Sequence, residues 1–219
     1  MASVVHEISQ PLGAVSLNAE TAAILLGKAP FDAAKVSNIL GLIGEDCTRV
    51  TSTVRGMRAL FKRETAEARA CNANHAINEA LAIERHELSG REVQVEKALV
   101  ENIPLLRVDA HQLQQVLLNL IANAADAMRP VNDRSRILRI TSEVKDSNAI
   151  LAVQDTGVGI AAEDTEKIFE PMFTTKGAGM GMGLWICRAI IESYGGKLKT
   201  RSRINEGSIF QIELPIDPV

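Results

Sequence analysis

"DAHQLQQVLLNLIANAADAM", residues 109–128, is the stretch from which the fold is read most directly. Asp109, followed three residues on by Gln112, forms a capping box, so the first backbone donors of a helix find acceptors there. Leu113, Val116, Leu117, Leu120, Ala124 and Ala127 recur at helical spacing and make one apolar face. Gln115, Asn119, Asn123 and Asp126 make an opposite polar stripe. Asparagine is a poor helix former because its amide competes for backbone groups. Two of them one turn apart therefore cost stability without an obvious packing return. The stripe is either a solvated face or a site for a hydrated Mg²⁺, which takes amide or carbonyl oxygens together with water and substrate phosphates.

Two glycine-bearing segments follow downstream. "QDTGVGI", residues 154–160, places Asp155 at the end of an apolar strand, then Gly157 and Gly159. It reads as a tight turn, or as a binding feature whose carboxylate accepts from an exocyclic amino group while the glycines let a flat ring approach the backbone. "GAGMGMGL", residues 177–184, has glycines at 177, 179, 181 and 183 directly before the helix-forming "LWICRAIIESY". A glycine-rich turn opening a helix offers backbone N–H groups and the positive helix end to phosphate. It is no Walker loop, since no G-K-[ST] closes it, and it lacks the strand and acid of a Rossmann fingerprint.

Around these segments the pattern predicts helices over 71–88 and 185–194, strands over 91–99, 104–109, 137–144 and 150–154, and a closing hairpin of 197–202 with 208–214. Strands in neighbouring pairs between helices predict an α/β sandwich with a mixed sheet covered on one face.

Upstream the texture differs. Met1, Val5, Ile8, Leu12, Val15, Ala19, Ala22 and Leu26 alternate steps of four and three, a coiled-coil seam. Gly27, Pro30 and Asp32 interrupt it, with Asp32 as N-cap of the next helix. The alternation resumes at Val36, Leu40, Ile43, Cys47, Val50, Val54, Met57 and Phe61. Two helices with one narrow seam each cannot enclose a core, so an antiparallel hairpin that dimerises into a four-helix bundle is expected, the alternative being a hairpin that packs on the rest of its own chain. On this register Val5 is a and Ile8 is d, which turns His6 (b), Glu7 (c) and Gln10 (f) outward. His6 and Gln10 stand one turn apart on that outward face, and Pro11 is expected to kink the helix just after them. The charged run from Lys62 to Ala70 ends the heptads and sets the domain division at 1–64 and 65–219.

Bulk composition narrows the classes. With 46% hydrophobic and 23% charged residues in 219, the chain has material for a real core in one large or two small domains. Aromatics at 3% and a net charge of −3 argue against nucleic acid, which needs stacking platforms and clustered cations. Cys47, Cys71 and Cys187 form no CxxC pair and are expected as reduced thiols in the cytoplasm. No run reaches the ~18 apolar residues of a membrane span, and the first residues do not read as the basic-then-apolar pattern expected of a signal peptide. Direct membrane contact is therefore not expected.

Taken together, these residues resemble a bacterial sensor histidine kinase over nearly the whole chain. "HEISQPL" resembles the H box of a dimerisation and phosphotransfer hairpin, and "NLIANAADAM" the N box. "DTGVGI" resembles the G1 box, "IFEPMFTTK" the F box and "GMGMGL" the G2 box of a Bergerat-type GHKL ATP site. Each is weak alone, but the set in this order is specific. Gln10-Pro11 and the TTK ending resemble the subgroup typified by oxygen and dicarboxylate sensors.

The resemblance implies roles. His6 is the implied phosphoacceptor, Glu7 the group that takes or polarises the proton on its other ring nitrogen, and Gln10 the residue that orients water to dephosphorylate a response regulator. Asn123 is implied to hold Mg²⁺ with Asn119 in support. Where superfamily ATPases carry a water-activating glutamate, Asn119 cannot act as a base, which favours transfer to histidine over hydrolysis. Asp155 reads the adenine amino group beside Gly157 and Gly159, with Ser208 reaching that region through water. Phe169 and Phe173 anchor the F box, Thr175 and Lys176 stand near the γ-phosphate, and Gly179, Gly181 and Gly183 wrap the phosphates as a lid.

Implied partners are a second copy through the hairpin and a response-regulator receiver domain. Only five residues precede His6, so the sequence is expected to be a cut catalytic core whose parent carries any sensor or membrane anchor. Three rivals remain. An ATP-driven conformational machine lacks its carboxylate at 119, and a Ser/Thr kinase relative leaves the His6-Glu7 pair without purpose. The third is an interaction protein gated by ATP.

Overall fold

The computed structural model describes residues 2–27, 32–44, 47, 70–175 and 181–216, with the backbone alone for 2–10. The chain divides into two compact units, Met1–Phe61 and Lys62–Val219.

In the first unit, helix α1 (Ala2–Leu26) runs without a break through Pro11. Gly27 N–H closes it on the Ala23 carbonyl at 3.1 Å. A second helix, α2 (residues 33–44), starts at Asp32. The Asp32 carboxylate accepts from Lys35 N–H at 3.1 Å, the expected cap, and that bond holds its pKa below the ordinary value.

Burial refines the heptad reading, because the predicted seam has two sides. Among the described side chains, positions g and d of α1 are covered, with Pro11 and Ala22 buried and Val15, Asn18 and Leu25 half-buried; in α2 Val36 is buried and Ile39 and Ile43 are half-buried. The a positions are not: Leu12, Leu26 and Leu40 are 50%, 54% and 56% exposed.

The second unit begins with β1 (Ala70–Cys71), α3 (Ala73–Gly90), β2 (Gln94–Leu99), β3 (Leu106–Arg107) and α4 (Ala110–Met128). Then come β4 (Ile137–Lys145), β5 (Asn148–Asp155), α5 (Gly183–Ser193), β6 (Lys197–Arg203) and β7 (Gly207–Pro215). Two 3-10 turns, Ala162–Asp164 and Lys167–Phe169, lie between β5 and α5. The main sheet has the order β2-β4-β5-β7-β6. Its β2–β4 pair is parallel and the others antiparallel, while β1 and β3 form a separate antiparallel pair.

This is the expected mixed sheet covered on one face. Leu138, Ile140, Leu151, Val153, Phe210, Ile212 and Leu214 are buried on the helix side. The opposite face carries ion pairs, Lys199–Glu213 at 2.6 Å and Arg139–Glu96 at 2.7 Å.

Helix α4 lies between α3 and α5 over this sheet. Asp109 caps it as expected, accepting from Gln112 N–H at 3.0 Å. Its buried side is wider than one apolar face: Ile121, Ala125 and Met128 are buried as well, while Ala127 is half-buried. A helix flanked on both sides must bury more than a single stripe. Asp126 leaves the polar stripe for an ion pair with Arg91 at 2.7 Å. The Tyr194 hydroxyl accepts from Asp109 N–H at 3.2 Å and donates to Gln112 Oε1 at 3.0 Å, which fastens the end of α5 to the start of α4.

Candidate functional site

The alternation of strands β4, β5, β7 and β6 places Leu138, Asp155, Ser208 and Ser202 in one transverse row on the helix side of the sheet. Asp155 and Ser208 are 2% and 4% exposed, two of three buried polar residues among those described. A carboxylate so placed accepts hydrogen bonds and donates none when ionised, so it selects for a donor.

The loop after Asp155 is tied down on every side. Asp155 Oδ1 accepts from Gly157 N–H at 2.8 Å. Val158 N–H donates to the Ala127 carbonyl at 3.1 Å, and the Val158 carbonyl accepts from Asn205 N–H at 2.8 Å. Ile160 N–H donates to Ser202 Oγ at 2.8 Å. The Arg134 guanidinium donates to the carbonyls of Thr156 at 3.2 Å and Gly157 at 2.8 Å.

Both glycines of this loop are required by the protein's own backbone. A β-carbon at Gly157 would lie 2.7 Å from the Ala127 carbonyl atoms, and one at Gly159 would lie 2.0 Å from the Arg203 oxygen. Gly159 also has φ +74°, a region that L side chains avoid.

The asparagine stripe and the glycine-rich turn converge one to two turns back along α4 from Ala127. Asn123 Nδ2 donates to Asn119 Oδ1 at 3.0 Å. Gly183 opens α5 with no side-chain cap at Met182, and a β-carbon on it would lie 2.7 Å from both Asn119 amide heteroatoms. The helix starts two residues earlier than Trp185, so Gly183 belongs to its first turn and not to the preceding loop. An N-terminus without a side-chain cap holds backbone donors and the positive helix end for an anion. Gly181, with φ +64°, lies where a β-carbon would be 2.3 Å from the Phe173 carbonyl oxygen. The F box and the glycine turn therefore meet.

Phe169 is buried, edge-on to Phe210 with centroids 6.5 Å apart, and the Arg188 guanidinium lies 5.4 Å over its ring. Phe173 is half-buried and Thr175 exposed. Lys176 and Gly179 lie outside the described residues. His6, Glu7 and Gln10 lie on α1 in the first unit, where the backbone alone is described.

The residues present suit a magnesium nucleotide. Among the described residues no three His, Cys, Asp or Glu side chains form a metal cluster. A cation here would take the Asn123 amide oxygen with water and phosphate oxygens, a donor set that fits Mg²⁺. Sequence reasoning missed Arg134, Ser202 and Arg188. Arg134 lies in the loop "NDRSR" without periodicity to betray it, and Ser202 reads as an ordinary strand residue.

Comparison with known proteins fits this geometry. A family model described as "Histidine kinase-, DNA gyrase B-, and HSP90-like ATPase" matches residues 108–218, just over half of the chain. The sensor protein TdiS of Thauera aromatica is 34% identical over 98% of this chain and 39% of its own. The chain spans less than half the length of the curated relatives it matches. The catalytic domain of histidine kinase ThkA is 34% identical, with a TM-score of 0.59 over 67% of this chain and 96% of that domain. Histidine kinase ThkA in complex with response regulator protein TrrA is 26% identical, with a TM-score of 0.73 over 99% of this chain and 61% of that one. With the Asp155 row, the Asn119–Asn123 pair and the α5 N-terminus in the matched region, the chain belongs to the histidine kinase-, DNA gyrase B- and HSP90-like ATPase family and, within it, to the sensor histidine kinases.

Proposed function

We propose that the chain is an ATP-dependent protein histidine autokinase core that phosphorylates His6 and passes the phosphoryl group to an aspartate of a response regulator. Residues 65–219 are the ATP-binding catalytic domain and 1–64 the phosphotransfer hairpin. The observation that carries this reading is the convergence of the Asn119–Asn123 pair on the N-terminus of α5, with the buried Asp155 in the same unit.

In this reading Asp155 accepts from the adenine amino group, with Ser208 beside it in the row. Gly181, Gly183 and the α5 N-terminus receive the phosphates, with Thr175 near the γ-phosphate. Asn123, supported by Asn119, would hold Mg²⁺, whose chemistry here would be neutralisation of phosphate charge. A His6 ring nitrogen forms a bond to the γ-phosphorus as the bond to the β-phosphate oxygen breaks, and ADP leaves. Glu7 takes the proton from the other ring nitrogen. An amide at 119 cannot accept a proton from water, which favours transfer over hydrolysis.

The hairpin serves as homodimer interface and docking platform. Exposed Leu12, Leu26 and Leu40 are the a positions that a second copy would cover. The response regulator is proposed from the ThkA–TrrA complex. Leu17 and Ile24 support it: 65% and 61% exposed, they follow Gln10 at heptad spacing on the outward stripe. Gln10 gives a second activity, dephosphorylation of that regulator. The chain works in the cytoplasm, consistent with free Cys71 and Cys187. Burial pushes the Cys187 thiol up to about 12, which keeps it inert. No described helix is long and apolar enough to cross a membrane.

Titration with ATP and Mg²⁺ tests the nucleotide site. Asp155→Asn and Asn123→Asp are expected to weaken binding by roughly tenfold or more while the fold is kept. Wild-type affinity in both variants would contradict the assignment.

A further inference from the structure

Arg134 lies in the loop between α4 and β4, outside every motif that points to the nucleotide. Its side chain is 31% exposed. Nη1 lies 3.3 Å from Asp133 Oδ1, while Nε and Nη2 grip two successive carbonyls, those of Thr156 and Gly157. The first grip matters most. The peptide group whose oxygen is Thr156 O has Gly157 N–H as its other end, and that N–H donates to Asp155 Oδ1 at 2.8 Å. A single rigid peptide plane thus connects the guanidinium to the carboxylate. Polarising its oxygen also strengthens the bond made by its N–H.

We infer that Arg134 is a positioning residue for base recognition: it fixes the peptide that orients Asp155, and so sets how strongly the site discriminates for a purine bearing a 6-amino group. This rests on the ATP reading above. A planar fork suits two neighbouring carbonyls, whereas a lysine ammonium is a single point of contact. Other bonds secure the loop without Arg134, those of Val158 with Ala127 and Asn205 and of Ile160 with Ser202. Loss of the guanidinium therefore loosens one peptide and leaves the sheet and helices in place.

The test compares affinities for ATP and for purine riboside triphosphate, which lacks the 6-amino group, in the full chain with Mg²⁺. Arg134→Gln is expected to lower the ratio of the two affinities by about five- to tenfold, one hydrogen bond's worth. Affinity for purine riboside triphosphate should stay within about twofold, and Arg134→Lys should fall between. In an Asp155→Asn background, Arg134→Gln should leave the ratio unchanged, because the group it positions is already altered. Melting without nucleotide is recorded for each variant, and the ratio is read on Arg134→Lys if Arg134→Gln does not fold. An equal loss for both nucleotides, or an unchanged ratio, overturns the inference and leaves the ATP site standing. A wild-type chain that binds neither nucleotide overturns both.

Discussion

Gly183, the first residue of α5, lies so close to Asn119 on α4 that a β-carbon would stand 2.7 Å from its amide oxygen and nitrogen. The obstructing atoms are the end of a side chain, which can swing aside, so Gly183→Ala should change stability by no more than about 1 kcal/mol. Swinging Asn119 aside breaks its bond to Asn123. Affinity for ATP with Mg²⁺ should therefore fall by about tenfold, in a titration beside a denaturant curve showing the fold retained.

Gly159 should behave in the opposite way. Its φ of +74° and the Arg203 carbonyl 2.0 Å from a would-be β-carbon are backbone constraints that nothing nearby can relieve. Gly159→Ala is expected to cost about 3 kcal/mol or more, read as an early denaturant midpoint without nucleotide.

The exposed a positions of α1 and α2 predict an association defect. Leu12→Glu with Leu40→Glu puts charge on a positions that are half exposed in the single chain, where it costs little. In a four-helix dimer the same carboxylates would be buried without partners. Sedimentation should show a dimer for the wild type and a monomer for the double variant, with the catalytic unit melting unchanged.

Glu84, half-buried on α3, has its pKa raised, first by burial and then by the charges of Glu87 and Asp126, against an opposing effect of Arg91. The folded-state value lies above the unfolded one, so ionisation of Glu84 works against folding as pH rises from the ordinary value of 4.5 through the folded value. Glu84→Gln should melt roughly 1–2 °C higher at neutral pH, with the advantage vanishing below pH 4.5.

Much of this architecture is legible in the residues. The Asp109 and Asp32 caps, the period-two strands and the 3.6-period α4 give local signals that packing reinforces. What escaped was set by tertiary neighbours. Nothing in "LLNLIANAAD" says that α4 is flanked on both sides, so Ile121 and Ala125 could not be assigned to the core. The heptads gave the seam but not its division into d and g positions within the chain and a positions outside it. At the site, Asp155, Asn119, Asn123 and the glycines declare themselves by residue type at odd places. Arg134 and Ser202 act through hydrogen bonds to loops distant in sequence, which no local pattern encodes.

The most direct test of the central claim is incubation with γ-labelled ATP and Mg²⁺, beside His6→Gln and Asn123→Asp variants, with the acid and alkali stability of the product measured. The account predicts acid-labile, alkali-stable label that is absent in His6→Gln and falls by about tenfold or more in Asn123→Asp. Bound nucleotide with label that never reaches His6 would contradict it and favour a protein in which ATP gates an interaction surface.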